Sequence, residues 1–261
     1  MDLGIAGRTY IITGGSAGIG RGTAARLVAE GANVVACARG EEKLTAALRD
    51  IDPPGERTLG VAMDASDPAS PSALYERSVD RFGRVDGIVN NVGTSLRGDF
   101  RELGDEDWLQ DLDLKLFPAI RLIRAALPEM VARGTGSIVN VLSIGGKQPS
   151  AGSMPTSVTR GAGLALTKAL SKELAPDHVR VNAVCVGLIR SEQHDRRWQD
   201  EAPELTRDAW YASLTEQRRI PLGRSGEPDE VASTIALLLS DLAGFTSGTA
   251  INIDGGQAAV L

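Results

Sequence analysis

Thr156 and Arg160 stand four residues apart in MPTSVTRGAGLALTKAL (154–170), so a helix over this stretch carries a hydroxyl and a cation on one face. A hydroxyl can hydrogen-bond a reacting oxygen, and a guanidinium can grip ribose hydroxyls or a phosphate, yet neither exchanges protons near neutral pH. The pair therefore suits binding and orientation better than acid–base work. A second stretch with chemical content is TGGSAGIG (13–20), where Gly14, Gly18 and Gly20 follow an apolar run and open an amphipathic pattern of Ile19, Ala24, Leu27 and Val28. Glycines there permit a tight turn and let backbone amides approach a pyrophosphate at the positive end of a helix, with Ser16, Ala17 and Ile19 completing the cradle. Dinucleotide binding is the expectation. An acid at the end of the next strand would accept from an adenosine ribose, but this chain has Ala38 and Arg39. A guanidinium there favours the 2′-phosphate of NADP(H) over NAD(H), or else stacks on adenine. Asp64, followed by Ala65, either accepts from the adenine amino group or caps the next turn.

These residues need elements to hold them. Short continuous apolar runs at 9–13, 33–38, 58–63, 87–92, 136–143, 180–186 and 250–254 read as strands covered on both faces, as in a parallel sheet. Helical patterns at 18–30, 41–51, 70–82, 105–133, 155–175 and 228–240 lie between them. The alternation predicts an α/β fold: a doubly wound, Rossmann-like, seven-stranded parallel sheet with helices on both faces, in one domain. The chain has 261 residues, enough for one such domain and few for two. Its formal charge of −6 argues against a nucleic-acid partner, and its start shows no long apolar run for a signal peptide or membrane span. Cys37 and Cys185 sit in apolar runs and read as buried thiols of a cytoplasmic protein. His178 and His194 lack the paired spacing of a zinc site. Residues 190–227 are polar and carry Trp198, Trp210 and Tyr211; they form either a lid over a substrate or an oligomer contact. Arg190, Arg196 and Arg197 within them suggest an anionic or thioester-carried small-molecule substrate.

The order of these pieces resembles the short-chain dehydrogenase/reductase family from about residue 5 to residue 257. TGGSAGIG resembles its cofactor loop, and NNVG (90–93), with Asn91 and Gly93, the stretch that supports the central sheet beside the cofactor. RVNAVCVGLIRS (180–191) is similar to the segment that covers the nicotinamide, with Gly187 and Ile189, Val186 where proline is usual, and Ser191 where a threonine often contacts the carboxamide. INIDGG (251–256) resembles the last strand and turn. The resemblance implies an oxidoreductase acting on a carbonyl/alcohol pair and a homo-oligomer, with apolar stripes such as Leu109, Leu112, Leu116, Leu164 and Leu166 at the interface.

The family's catalytic set is a serine, a tyrosine thirteen residues later, a lysine four further, and an asparagine on the preceding long helix. Ser143 matches, as the donor to the substrate oxygen. Thr156 replaces the tyrosine, Arg160 the lysine and Asp113 the asparagine. An aliphatic alcohol cannot usefully ionise where a phenol can, and threonine is several ångströms shorter. Arg160 still suits ribose hydroxyls. An Asp113–Arg160 ion pair would fill the vacated relay space, unless Asp113 is simply solvated on its helix. Lys147 in SIGGKQPSAG is either a displaced acid or anion contact at the rim, or a solvated loop lysine. Pro118 is expected to kink the 105–133 helix and free the carbonyl of Leu114. Three functions follow: an NADP(H) oxidoreductase with an unconventional proton source, an inactive NADP(H)-binding subunit paired with an active relative, or a lyase or isomerase using Asp113 or Lys147 as base.

Overall fold

The structure, a computed structural model, describes residues 2–261. Seven strands make one parallel sheet: β1 (Thr9–Thr13), β2 (Asn33–Ala38), β3 (Thr58–Ala62), β4 (Gly87–Asn90), β6 (Gly136–Ser143), β8 (Val179–Val186) and β9 (Ala250–Ile253). A two-stranded antiparallel ribbon, β5 (Arg97–Gly98) with β7 (Met154–Pro155), has no counterpart in the sequence reading. The helices are α1 (Gly18–Ala29), α2 (Glu41–Ile51), α3 (Ser70–Phe82), α4 (Asp105–Lys115), α5 (Phe117–Arg133), α6 (Thr156–Glu173), α7 (Glu192–Glu201), α8 (Arg207–Gln217) and α9 (Pro228–Leu239).

The runs of Ile and Val explain the sheet. Ile12, Val34 and Val184 face one apolar layer with Leu27 of α1 and Ile235 of α9, while Ile11, Val35 and Val181 face another with Leu122 and Met130 of α5. Burying both faces is what forces continuous rather than alternating hydrophobicity. Strand order is β3-β2-β1-β4-β6-β8-β9, so the chain winds outward from β1 and then returns to β4 on its other side. That reversal opens a crevice at the carboxyl ends of β1 and β4, the switch point where such sheets take ligands. The run expected as a strand at 87–92 stops at Asn90 because Asn91 turns to hold the loop: its Nδ2 donates to the carbonyls of Thr13 (3.0 Å) and Gly14 (3.1 Å).

The helix expected over 105–133 is two helices. The break falls at Leu116, and Pro118 occupies the first turn of α5, where a missing N–H costs nothing. The expected kink at Pro118 is therefore corrected to a full helix end two residues earlier. Cys37 and Cys185 are buried free thiols. Residues 190–227 fold into α7 and α8 over an apolar cluster of Trp210, Tyr211, Leu188, Leu214 and Ile220. Among the described residues no helix is long and apolar enough to cross a membrane.

Candidate functional site

A cleft of about 520 Å³ lies at the switch point. Its wall includes Gly14, Ser16, Ala17, Gly18 and Ile19 from the loop before α1, Arg39 after β2, and Asp64 and Ala65 after β3. Asn91, Gly93, Ser143, Arg160, Gly187, Ile189 and Ser191 continue the wall. Of the expected cofactor residues only Gly20 stays behind it, where a Cβ would collide with the carbonyl of Gly14. The loop fits a pyrophosphate on two counts. Ala17, the N-cap of α1, is extended and offers no side-chain cap, so the first amides of a twelve-residue helix remain open to a ligand. Gly18 has φ +52°, and a Cβ there would meet only Ser191 at 4.0 Å, so the loop borders open space. Asp64 caps its own turn, accepting from Ser66 N (3.0 Å) and Ser66 Oγ (2.7 Å), which lowers its pKa.

The other end of the cleft carries the replaced machinery. Ser143, at the end of β6, lies on the wall, and its hydroxyl has no hydrogen-bond partner among the described residues. Arg160, one turn into α6, donates to the carbonyl of Val141 (3.0 Å) and packs under Gly93, where a Cβ would come within 2.5 Å of Nη2. Burial lowers the Arg160 pKa, and Asp111 opposes that shift.

Thr156 does not face the cleft. Its Oγ1 accepts from Leu96 N (3.0 Å) and Lys115 Nζ (2.7 Å) and donates to Leu96 O (2.7 Å), which uses both lone pairs and the single proton. Lys115 also pairs with Asp111, and both side chains are only 1% exposed. Burial pushes the Lys115 ammonium down to about 8, against the opposing pull of Asp111. This Asp111–Lys115–Thr156 knot was missed from the sequence. Its signal was present as an acid four residues before a lysine, the spacing that shares a helix face.

Two expected site residues lie elsewhere. Asp113 is 51% exposed and sits 3.8 Å from Arg121, so the expected Asp113–Arg160 pair does not form. Residues two apart point to opposite sides of a helix, and once Asp111 and Lys115 face inward Asp113 must face out. Lys147 donates to Ala250 O and Asn252 Oδ1, both at 2.6 Å, tying the loop after β6 to β9 rather than facing the cleft. Arg190 is neutralised by Asp208 and Glu227, and Arg197 by Glu201. Arg196 alone of the three lines the cleft, without a partner among the described residues.

No tyrosine replaces the missing phenol. Tyr10 is buried in the core, Tyr75 donates to Glu129, and Tyr211 donates to Asp195 (3.0 Å) while accepting from Ser191 N (3.1 Å). Ser191 caps α7, accepting from His194 N (3.3 Å), with the His194 ring 2.9 Å from its hydroxyl. Burial first, then Arg218 and Arg197, push the His194 imidazole down to about 4.

Known proteins resemble this chain over nearly its whole length. The family model described as Enoyl-(Acyl carrier protein) reductase matches residues 14–258. A protein named as a ketoacyl reductase of the monensin polyketide synthase in Streptomyces virginiae is 38% identical over 253 residues, covering 95% of this chain and 96% of the relative. A short chain oxidoreductase from Pseudomonas aeruginosa PAO1, described as containing an atypical catalytic center, is 36% identical with a TM-score of 0.92 over 100% of both chains. L-sorbose reductase from Gluconobacter frateurii, solved with NADPH and L-sorbose, is 33% identical with a TM-score of 0.93 over 100% of both chains. Sequence and coordinates agree along the whole chain, which places it in the short-chain dehydrogenase/reductase family.

Proposed function

We propose that this protein is an NADP(H)-dependent oxidoreductase that interconverts a carbonyl and an alcohol, with Lys115 as its proton source. The observation that carries the reading is the cleft itself: fourteen of the fifteen residues expected beside a dinucleotide, from six stretches of chain, meet around one cavity together with Ser143. When bound, a reduced nicotinamide supplies a hydride to the carbonyl carbon. Ser143 donates to the carbonyl oxygen from the cleft wall. Arg160, fixed by Val141 O, holds ribose hydroxyls and adds positive charge where the alkoxide develops. The proton comes from the knot behind them. The Lys115 side chain packs against Gly93 of the cleft wall, and its ammonium, held 2.7 Å from Thr156 Oγ1, is the group that gives up the proton.

The substrate is an anionic or thioester-carried carbonyl compound. Arg196 on the wall, Arg97 in β5 and Arg218 at the end of α8 supply cationic groups that no carboxylate pairs among the described residues. The acyl-carrier and ketoacyl descriptions of the family model and the Streptomyces relative point the same way. The chain forms one domain, residues 190–227 act as its lid, and it assembles as a homo-oligomer through α4, α5 and α6.

Thermal shift with NADPH and NADH tests the cofactor, since a native-state ligand at a hundredfold its Kd adds about 2.7 kcal/mol. A larger shift with NADPH is expected; no shift with either overturns the reading. Oxidation of NADPH across a panel of ketones tests the reaction. Binding without turnover on any ketone would favour a non-catalytic subunit.

A further inference from the structure

We propose that Lys43 reads the 2′-phosphate of NADP(H), and that Glu192 sets the strength of this reading by competing for the same ammonium. The proposal rests on the dinucleotide site above and names a specificity pair within it.

Lys43 is in the first turn of α2 and Glu192 in the first turn of α7, 149 residues apart in sequence, and they form an ion pair at the mouth of the cleft. Both line the cavity beside Arg39, at the end where β2 stops without an acid. Arg39 has no partner among the described residues, so one cation waits there and the other is engaged. Their side chains are 49% and 43% exposed, and a pair so open to water contributes little and exchanges partners readily. A phosphate carrying nearly two charges and three acceptor oxygens is the stronger partner for an ammonium. Glu192 loses little on release, because the first turn of α7 lies at the positive end of the helix. NADH has only hydroxyls at this position and offers nothing to draw Lys43 away.

The two residues therefore act with opposite sign on one ligand. Removing the competitor by Glu192→Gln tightens NADPH by about three- to fivefold, the upper part of what an exposed ion pair contributes. Lys43→Gln weakens NADPH by about tenfold. Neither change moves NADH by more than about twofold, so retained NADH binding also reports that each variant is folded. In the Lys43→Gln background, Glu192→Gln loses its effect, because the group it competed for is gone.

The experiment is a fluorescence titration of the whole protein, and of these three variants, with NADPH and with NADH, without substrate. Tightening of NADPH alone by Glu192→Gln, abolished in the double variant, supports the proposal. Equal changes for both dinucleotides would place the pair on the shared pyrophosphate and overturn it, as would unchanged NADPH binding in Lys43→Gln. If the unaltered protein binds neither dinucleotide, the cofactor reading falls and takes this one with it.

Discussion

Lys115 is the group in the knot whose charge can change near neutral pH. Burial has brought its pKa to about 8, while the hydroxyl beside it belongs to a residue that cannot ionise. If it supplies the proton for reduction, the ammonium form is the active one. Reductase kcat is then full below pH 8 and falls as pH rises through it, and the alcohol-oxidising direction shows the opposite limb. Lys115→Met alone leaves Asp111 buried without its partner, a change that costs about 3–5 kcal/mol in typical cases. The clean variant is Asp111→Asn with Lys115→Met. It is expected to lower kcat by about 10²–10³ and to erase the limb near pH 8. A folded double variant with an unchanged pH profile would leave Lys115 a packing residue. The sequence made the loss of the phenol and ammonium plain, because Thr156 and Arg160 stand at fixed distances from Ser143. It hid the replacement, because the family pattern points to Asp113, whereas the face that Asp111 and Lys115 share turns inward only where α4 packs on α6.

Elements were more legible than their ends. The strands lay within about two residues of the apolar runs, since burial on both faces imposes a composition that loops cannot imitate. The joint between α4 and α5 was harder to see: Leu116 carries no breaking signal, and Pro118 reads equally as a kink or a first turn. The 190–227 segment showed its polarity but not its interior. Trp210 and Tyr211 look exposed among charges, yet they build a small core, and His194 packs against both rings. Burial holds His194 near pKa 4, below the 6.5 of a free imidazole. Its depressed value means the unfolded chain takes up a proton between pH 6.5 and 4 that the folded one refuses. The stabilising difference is full above 6.5 and is lost as pH falls through that window. One pKa unit corresponds to about 1.4 kcal/mol, and partial exposure reduces the contribution to about 1–2 kcal/mol. Urea unfolding at pH 7, 5.5 and 4.5 is expected to show a shallower acid loss for His194→Gln than for the unaltered protein. Parallel curves would mean that His194 titrates freely in the folded state.

Over the whole molecule, charge is distributed against its own total. The chain has 34 acids and 28 basic residues, yet the cleft gathers cations without carboxylate partners among the described residues: Arg39 and Arg196 on the wall, with Arg97 and Arg218 close enough to act on the charge of His194 in that wall. Among the described residues Arg97 donates only to Ser95 Oγ (2.9 Å), and burial first, then the charges of Arg97 and Arg197, lower the pKa of Arg218. An unpaired guanidinium held among like charges is stabilised by an incoming anion. The sequence pointed to an anionic substrate through Arg190, Arg196 and Arg197, but two of these are neutralised by acids that only the fold brings near. The cations that remain come from β5, α7 and the end of α8, a grouping no local pattern announces. A carboxylate-bearing ketone should therefore be reduced with a kcat/KM that falls as salt rises from 0.05 to 0.5 M (both about, bracketing a Debye length near 10 Å), even though the protein is acidic overall. A neutral ketone of the same size should show a flat response. Arg218→Ala is expected to lower kcat/KM for the carboxylate by about tenfold, mainly through KM, and to leave the neutral ketone within about twofold. Equal losses on both substrates would show that Arg218 holds α8 in place rather than meeting the anion.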